Sequence, residues 1–261
     1  MTRDATAAPP AARLLPRVLL PGLDATGSQH AAFSAAIRRH GVAVTVIAYP
    51  LDRALDYAGL AGFIQQALPT GTDYLLLGES FSGPLAMAIA ATPPPRLRGL
   101  ILSTTFARSP WRMWRRLQAL LHVAPVRMLP MPALSWLLLG RWSSPALRTA
   151  LGAALASVDA DVLRRRAMAA LGVDVAAQAR AQVLPTLCLH AAHDRLLPAR
   201  CQRHLSALLP AQASTTLDGP HLMLQARPEA AATVIAGFVR VVCAMSSSSR
   251  AERQDAALGH G

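Results

Sequence analysis

The sequence predicts an α/β protein: a mostly parallel sheet of about six strands with helices on both faces, carrying an inserted helical cap. Three observations predict it. Short apolar runs alternate with helix-like stretches over 17–107 and again over 181–245. The alternation stops over 108–180, where prolines break helix-like segments and no clear strand occurs. The chain has 261 residues, 52% hydrophobic and 15% charged, enough for one large core that carries an insertion.

Each element has its own signal. Residues 1–16, rich in alanine and proline, read as a flexible leader. Val18-Leu19-Leu20, following Arg17 and closed by Pro21-Gly22, reads as a buried strand. Residues 27–39 read as a helix and Val42 to Tyr49 as a β-branched strand ended by Pro50. Helical spacing covers 56–68. Tyr74 to Leu77 is the next strand and Pro84 to Ala91 a helix, with the proline in its first turn where a missing N–H costs little. Leu97 to Ser103 is a strand. After the cap come the strand Thr186 to His190, a helix near 198–209, the strand Ser214 to Leu217 and a helix from Pro228 to about Ala244. Residues 246–261, opening with four serines, read as a disordered tail.

Three scattered cysteines, Cys188, Cys201 and Cys243, suggest neither a disulfide framework nor a zinc site. Arginines and prolines interrupt the first residues, which argues against a signal peptide, and no run reaches the ~18 apolar residues of a spanning helix. A soluble cytoplasmic protein is expected. Net charge is +12, and 108–180 alone carries +8. No nucleic-acid motif accompanies this charge, so nucleic acid is not the expected partner.

The chemistry starts at Gly78-Glu79-Ser80-Phe81-Ser82-Gly83, between a strand and a helix. A nucleophile on such a turn needs small neighbours, and the helix that follows aims its first N–H groups at developing negative charge. An ordinary serine in a tight turn is the competing reading. Serine needs a base. His221, in Asp218-Gly219-Pro220-His221, follows the last strand and so shares the sheet edge with Ser80. His190 and His193 are its rivals. Asp194 follows the preceding strand on that same edge and is the candidate orienting acid, with Asp218 as competitor. An oxyanion hole needs two N–H donors, and Phe81 and Leu23 are the candidates.

In order and context, Ser80, Asp194 and His221 resemble the α/β-hydrolase superfamily over roughly 17–245. The matching pieces are Gly22-Leu23, Gly78-x-Ser80-x-Ser82-Gly83, His193-Asp194 with Pro198, and Gly219-Pro220-His221. The resemblance implies a Ser-His-Asp triad, an oxyanion hole and a lid. Two departures stand out: Ser82 replaces the usual glycine after the nucleophile, and Pro21 replaces the usual histidine before Gly22. The two leading antiparallel strands of the full fold have no room in 1–16.

The expected activity is a serine esterase for a medium or long acyl chain, needing no metal or cofactor. An acyl thioesterase or acyltransferase uses the same triad, and a non-catalytic binding protein of this fold is the remote alternative. All four tryptophans lie in the cap, and Trp111 and Trp114 are candidate acyl contacts. The cap's charge suggests an anionic carrier or lipid surface as partner; simple packing of the cap explains the tryptophans equally well.

Overall fold

The computed structural model describes residues 14–109, 130–209 and 212–258, with side chains through Ser248. Six parallel strands form one sheet in the order β2-β1-β3-β4-β5-β6. They are β1 (Arg17–Leu20), β2 (Val44–Val46), β3 (Tyr74–Glu79), β4 (Leu97–Ser103), β5 (Thr186–Ala191) and β6 (Gln212–Leu217). β1, β3 and β5 are buried along their whole length, which is why they read as unbroken apolar runs. β2 is an edge strand of three residues, shorter than its β-branched run suggested.

Two cores flank the sheet. Val18, Leu20, Leu76, Leu100 and Leu102 face one of them, with α2 (Tyr57–Ala67) and α3 (Gly83–Ala91). Leu19, Leu75, Leu77, Ile101 and Leu189 face the other, with α1 (Ala31–Arg38) and the C-terminal helix. Alternate residues of one strand thus enter opposite cores, as the strand period requires.

Between β4 and β5 the described residues form α4 (Met131–Leu138), α5 (Pro145–Ala156), α6 (Ala160–Gly172) and α7 (Ala176–Arg180). Ser144 caps α5 and Asp159 caps α6 through side-chain bonds to first-turn N–H groups. The base of the insertion is a neck. The Ser109 N–H donates to the Val173 carbonyl, the Val175 N–H donates to the Ala107 carbonyl, and Arg108 pairs with Asp174 at 3.0 Å. Ala176 and Ala179 lie in the first core, so α7 packs with the sheet and the cap limit expected at 180 moves back to this neck.

After β5 come α8 (Ala199–Leu208), β6, α9 (Met223–Ala226) and α10 (Pro228–Leu258). Two terminal expectations are corrected. Leu14 and Leu15, assigned to a flexible leader, pack on the second core. The disordered tail expected from 246 is helical through Leu258: the Ser246, Ser247 and Ser248 hydroxyls donate to carbonyls four residues back, which accommodates serine inside a helix. Within α10, Pro228–Ser248 is long and apolar enough to cross a membrane, contrary to the expectation from uninterrupted runs, because alanine and valine outweigh Arg240 in the average. One face of it, including Ile235 and Val239, packs on the sheet.

Candidate active site

The carboxyl ends of parallel strands share one edge, and that edge assembles the predicted residues. Ser80 directly follows β3 with φ 48°, a left-handed conformation forced on a non-glycine residue. The sharp turn needs room on both sides. A Cβ on Gly78 would fall 2.8 Å from the Ala86 Cβ, and one on Gly83 would fall 1.9 Å from the Thr105 hydroxyl.

Ser80 Oγ lies 2.8 Å from His221 Nε2, and His221 Nδ1 lies 2.8 Å from Asp194 Oδ2. His221 and Asp194 are buried. The other Asp194 oxygen accepts the N–H groups of Leu196 (2.9 Å) and Leu197 (2.7 Å), so the carboxylate is fixed and aimed by its own loop. With Asp194 accepting from Nδ1–H, Nε2 is free to take the Ser80 proton.

The rivals are placed elsewhere. His190 is buried inside β5, where loss of solvent pushes its imidazole below the ordinary value despite the nearby Asp194 charge. His193 and Arg141 both bind Asp218, at 3.0 and 2.7 Å. Trp111 and Trp114 lie outside the described residues.

Leu23 and Phe81 follow neighbouring strands, paired so that Leu20 faces Gly78. The Ser80 carbonyl accepts the Thr105 hydroxyl at 2.5 Å, anchoring the peptide whose N–H is that of Phe81. The Gly22 carbonyl accepts the Ala25 N–H at 3.0 Å, anchoring the peptide whose N–H is that of Leu23. A trans peptide directs its N–H opposite to its C=O, so each anchor sets the direction of a candidate donor.

Ser82, the departure from the usual glycine, has a place of its own. Its hydroxyl donates to the Pro21 carbonyl and accepts from the Tyr49 hydroxyl at 2.6 Å. It thereby stitches the nucleophile turn to the loop after β1. The Tyr57 hydroxyl holds the Phe81 carbonyl at 3.0 Å.

Beneath the turn sits a pair that local spacing did not reveal. His30 Nε2 donates to Glu79 at 2.7 Å, its Nδ1 faces the Gly27 carbonyl at 3.3 Å, and the Gln225 amide donates to the same Glu79 oxygen at 3.3 Å. Burial opposes both charges. The mutual attraction and hydrogen bond nevertheless raise His30 and hold Glu79 below the usual carboxylate range. The insertion also touches the site: Leu222 donates to the Leu138 carbonyl, Arg195 to the Trp136 carbonyl, and Arg166 reaches the loop after β1. Among the described residues no three metal-ligating side chains are gathered.

Solved structures share this architecture. An enol-lactonase from Burkholderia xenovorans LB400 matches with TM-score 0.74 and 19% identity over 87% of this chain and 92% of its own. An esterase from Exiguobacterium antarcticum matches with TM-score 0.76 and 16% identity over 87% and 92%. A membrane phospholipase A described as a bacterial virulence factor matches with TM-score 0.70 and 17% identity over 89% and 80%. No curated protein matches in sequence. The fold and the family together define a serine hydrolase of the α/β-hydrolase class. Within that class the chain belongs to the serine aminopeptidase S33 family, whose model matches residues 52–222, well over half of its length.

Proposed function

We propose that the chain hydrolyses carboxylic esters of medium or long acyl chains through an acyl-enzyme on Ser80. The observation that carries this reading is the unbroken relay from Ser80 Oγ through His221 to Asp194, with both contacts at 2.8 Å. Ser80 Oγ attacks the ester carbonyl carbon while His221 Nε2 takes its proton. Asp194 stabilises the imidazolium, and the N–H groups of Leu23 and Phe81 receive the oxyanion. His221 then protonates the leaving alcohol; it next takes a proton from water as the hydroxide attacks the acyl carbon, and returns that proton to the departing Ser80 Oγ as the acid is released.

Two features support an ester over a peptide, despite the family's name. Carboxylates around the site are already engaged: Asp194 by His221, Glu79 by His30, Asp24 by Thr26 and Asp218 by Arg141. Their existing partners compete with a peptide's α-ammonium group for them. The net charge of +12 also opposes a cationic substrate. The preference for a long acyl chain rests on the tryptophan and leucine content of 108–180.

The second reading, an acyl thioesterase or acyltransferase acting on an anionic carrier-linked or lipid substrate, is favoured by the charge of that same segment. A fluorophosphonate probe should label the parent and not Ser80→Ala; labelling of both would remove Ser80 from its role. Turnover of p-nitrophenyl esters, acyl thioesters and aminoacyl anilides of graded chain length should be fastest on the longer esters. Preferential turnover of thioesters would favour the second reading, and anilide turnover alone would overturn the ester assignment.

A further inference from the structure

We infer that Arg166 is a positioning residue that ties the inserted helices to the loop bearing the Leu23 N–H, and so sets the oxyanion hole. The inference rests on the assignment of Leu23 as an oxyanion donor. Arg166 lies on α6, in the insertion, yet it is only 1% exposed. One guanidinium nitrogen donates to the carbonyls of Leu23 (3.2 Å) and Asp24 (3.1 Å), and the other donates to the carbonyl of Pro50 (2.7 Å). Its carbon lies 5.9 Å from the centre of the Tyr49 ring, whose hydroxyl holds Ser82.

Two consequences follow from this geometry. First, the Leu23 residue is fixed on both sides. Its N–H side is set by the Ala25–Gly22 bond, and its carbonyl side by Arg166. Among the described residues no backbone carbonyl accepts the Leu23 N–H, which leaves it for an oxyanion. Second, the three hydrogen bonds of Arg166 all go to neutral carbonyls, with the Asp24 charge supporting the guanidinium through space, so a positive charge sits directly behind the donor loop. An apolar residue here would strand three backbone carbonyls. A planar fork satisfies them while bridging two segments and adding a field toward an oxyanion.

The test compares Arg166→Met, which keeps length and removes the fork, with Arg166→Lys, which keeps charge and removes the fork. For variants that retain the parent's circular dichroism spectrum, kcat on a p-nitrophenyl ester should fall at least about tenfold with KM nearly unchanged. Affinity for an alkyl trifluoromethyl ketone, which Ser80 converts to a tetrahedral adduct, should fall in the same proportion. Ethylguanidinium should restore part of the rate to Arg166→Ala. A folded variant with the parent's kcat overturns the inference, as does a rise in KM alone or a lower kcat with undiminished ketone affinity. Should the methionine variant fail to fold, the lysine variant decides: parental kcat there overturns the need for a fork. Ser80→Ala separates the two levels. If it abolishes turnover while Arg166 variants keep theirs, only the positioning role falls; if it keeps turnover, the site reading itself falls.

Discussion

Ser82 occupies the position where the nucleophile turn would tolerate glycine, and its hydroxyl makes the difference chemical as well as steric. It passes a hydrogen-bond chain from Tyr49 to the Pro21 carbonyl, and both of these partners are out of solvent. Replacing Ser82 with alanine strands them, and a buried polar group left unsatisfied costs about 1–3 kcal/mol. Ser82→Ala should therefore unfold at lower urea concentration and lose activity, and Ser82→Gly should do the same although it restores the usual motif. Urea titration beside ester turnover measures both, and an unshifted midpoint in both variants would remove the stitching role. Asp194 is bound differently, because one oxygen serves the loop and the other serves His221. Asp194→Asn keeps the loop acceptor and spoils the histidine tautomer. Turnover should fall by about 10³–10⁴-fold with the fold intact, as in other triads. A fall below about tenfold would show that another group orients His221.

At the scale of elements, the end of β3 is held from below by the His30–Glu79 pair. His30 is raised above its ordinary 6.5, so its share of the stabilisation is complete below that value and is lost as pH rises through the raised one. Glu79 is held below its ordinary 4.5, so its share is present above that value and is lost as pH falls through the lowered one. The pair therefore contributes most between those two ordinary values. Glu79→Gln leaves His30 without its counter-charge, and breaking a buried pair from one side costs about 3–5 kcal/mol. The deficit against the parent in chemical unfolding should be larger near about pH 5.5 than at a pH above the raised value of His30, where the imidazole is neutral in both proteins. An equal deficit at both would mean that the pair is not charged. None of this was legible in the sequence, because His30 lies 49 residues before Glu79 and no local period links them. Strands β1, β3 and β5 were legible because both of their faces are buried, which leaves continuous apolar runs between turn residues. So were Ser80, Asp194 and His221, since each follows a recognisable parallel strand and must emerge on one edge. Arg166 was hidden among three consecutive arginines on a helix that reads as solvated, and the serine run after Met245 read as disorder because intrahelical hydroxyl bonds leave no sequence signature.

For the whole molecule, the balance of charge is less open than the sequence count suggests. The segment 108–180 carries +8. That sum already includes Asp161 and Asp174, which pair with Arg164 and Arg108; beyond it, Arg141 pairs with Asp218 outside the segment and Arg166 is buried on carbonyls. Exposed pairs of this kind add little stability, but they draw down the field that the segment presents to solvent. Arg148, Arg165 and Arg180 remain exposed on it. If these charges attract an anionic carrier or headgroup, the attraction is screened over roughly 8–10 Å at ordinary ionic strength and over far less at high salt. The KM for an acyl ester with an anionic headgroup should then rise at least about threefold between about 0.05 and about 0.5 M salt, with kcat unchanged. The KM for a neutral ester of the same chain length should stay level across that range. Parallel behaviour of the two esters would remove these arginines from substrate recognition.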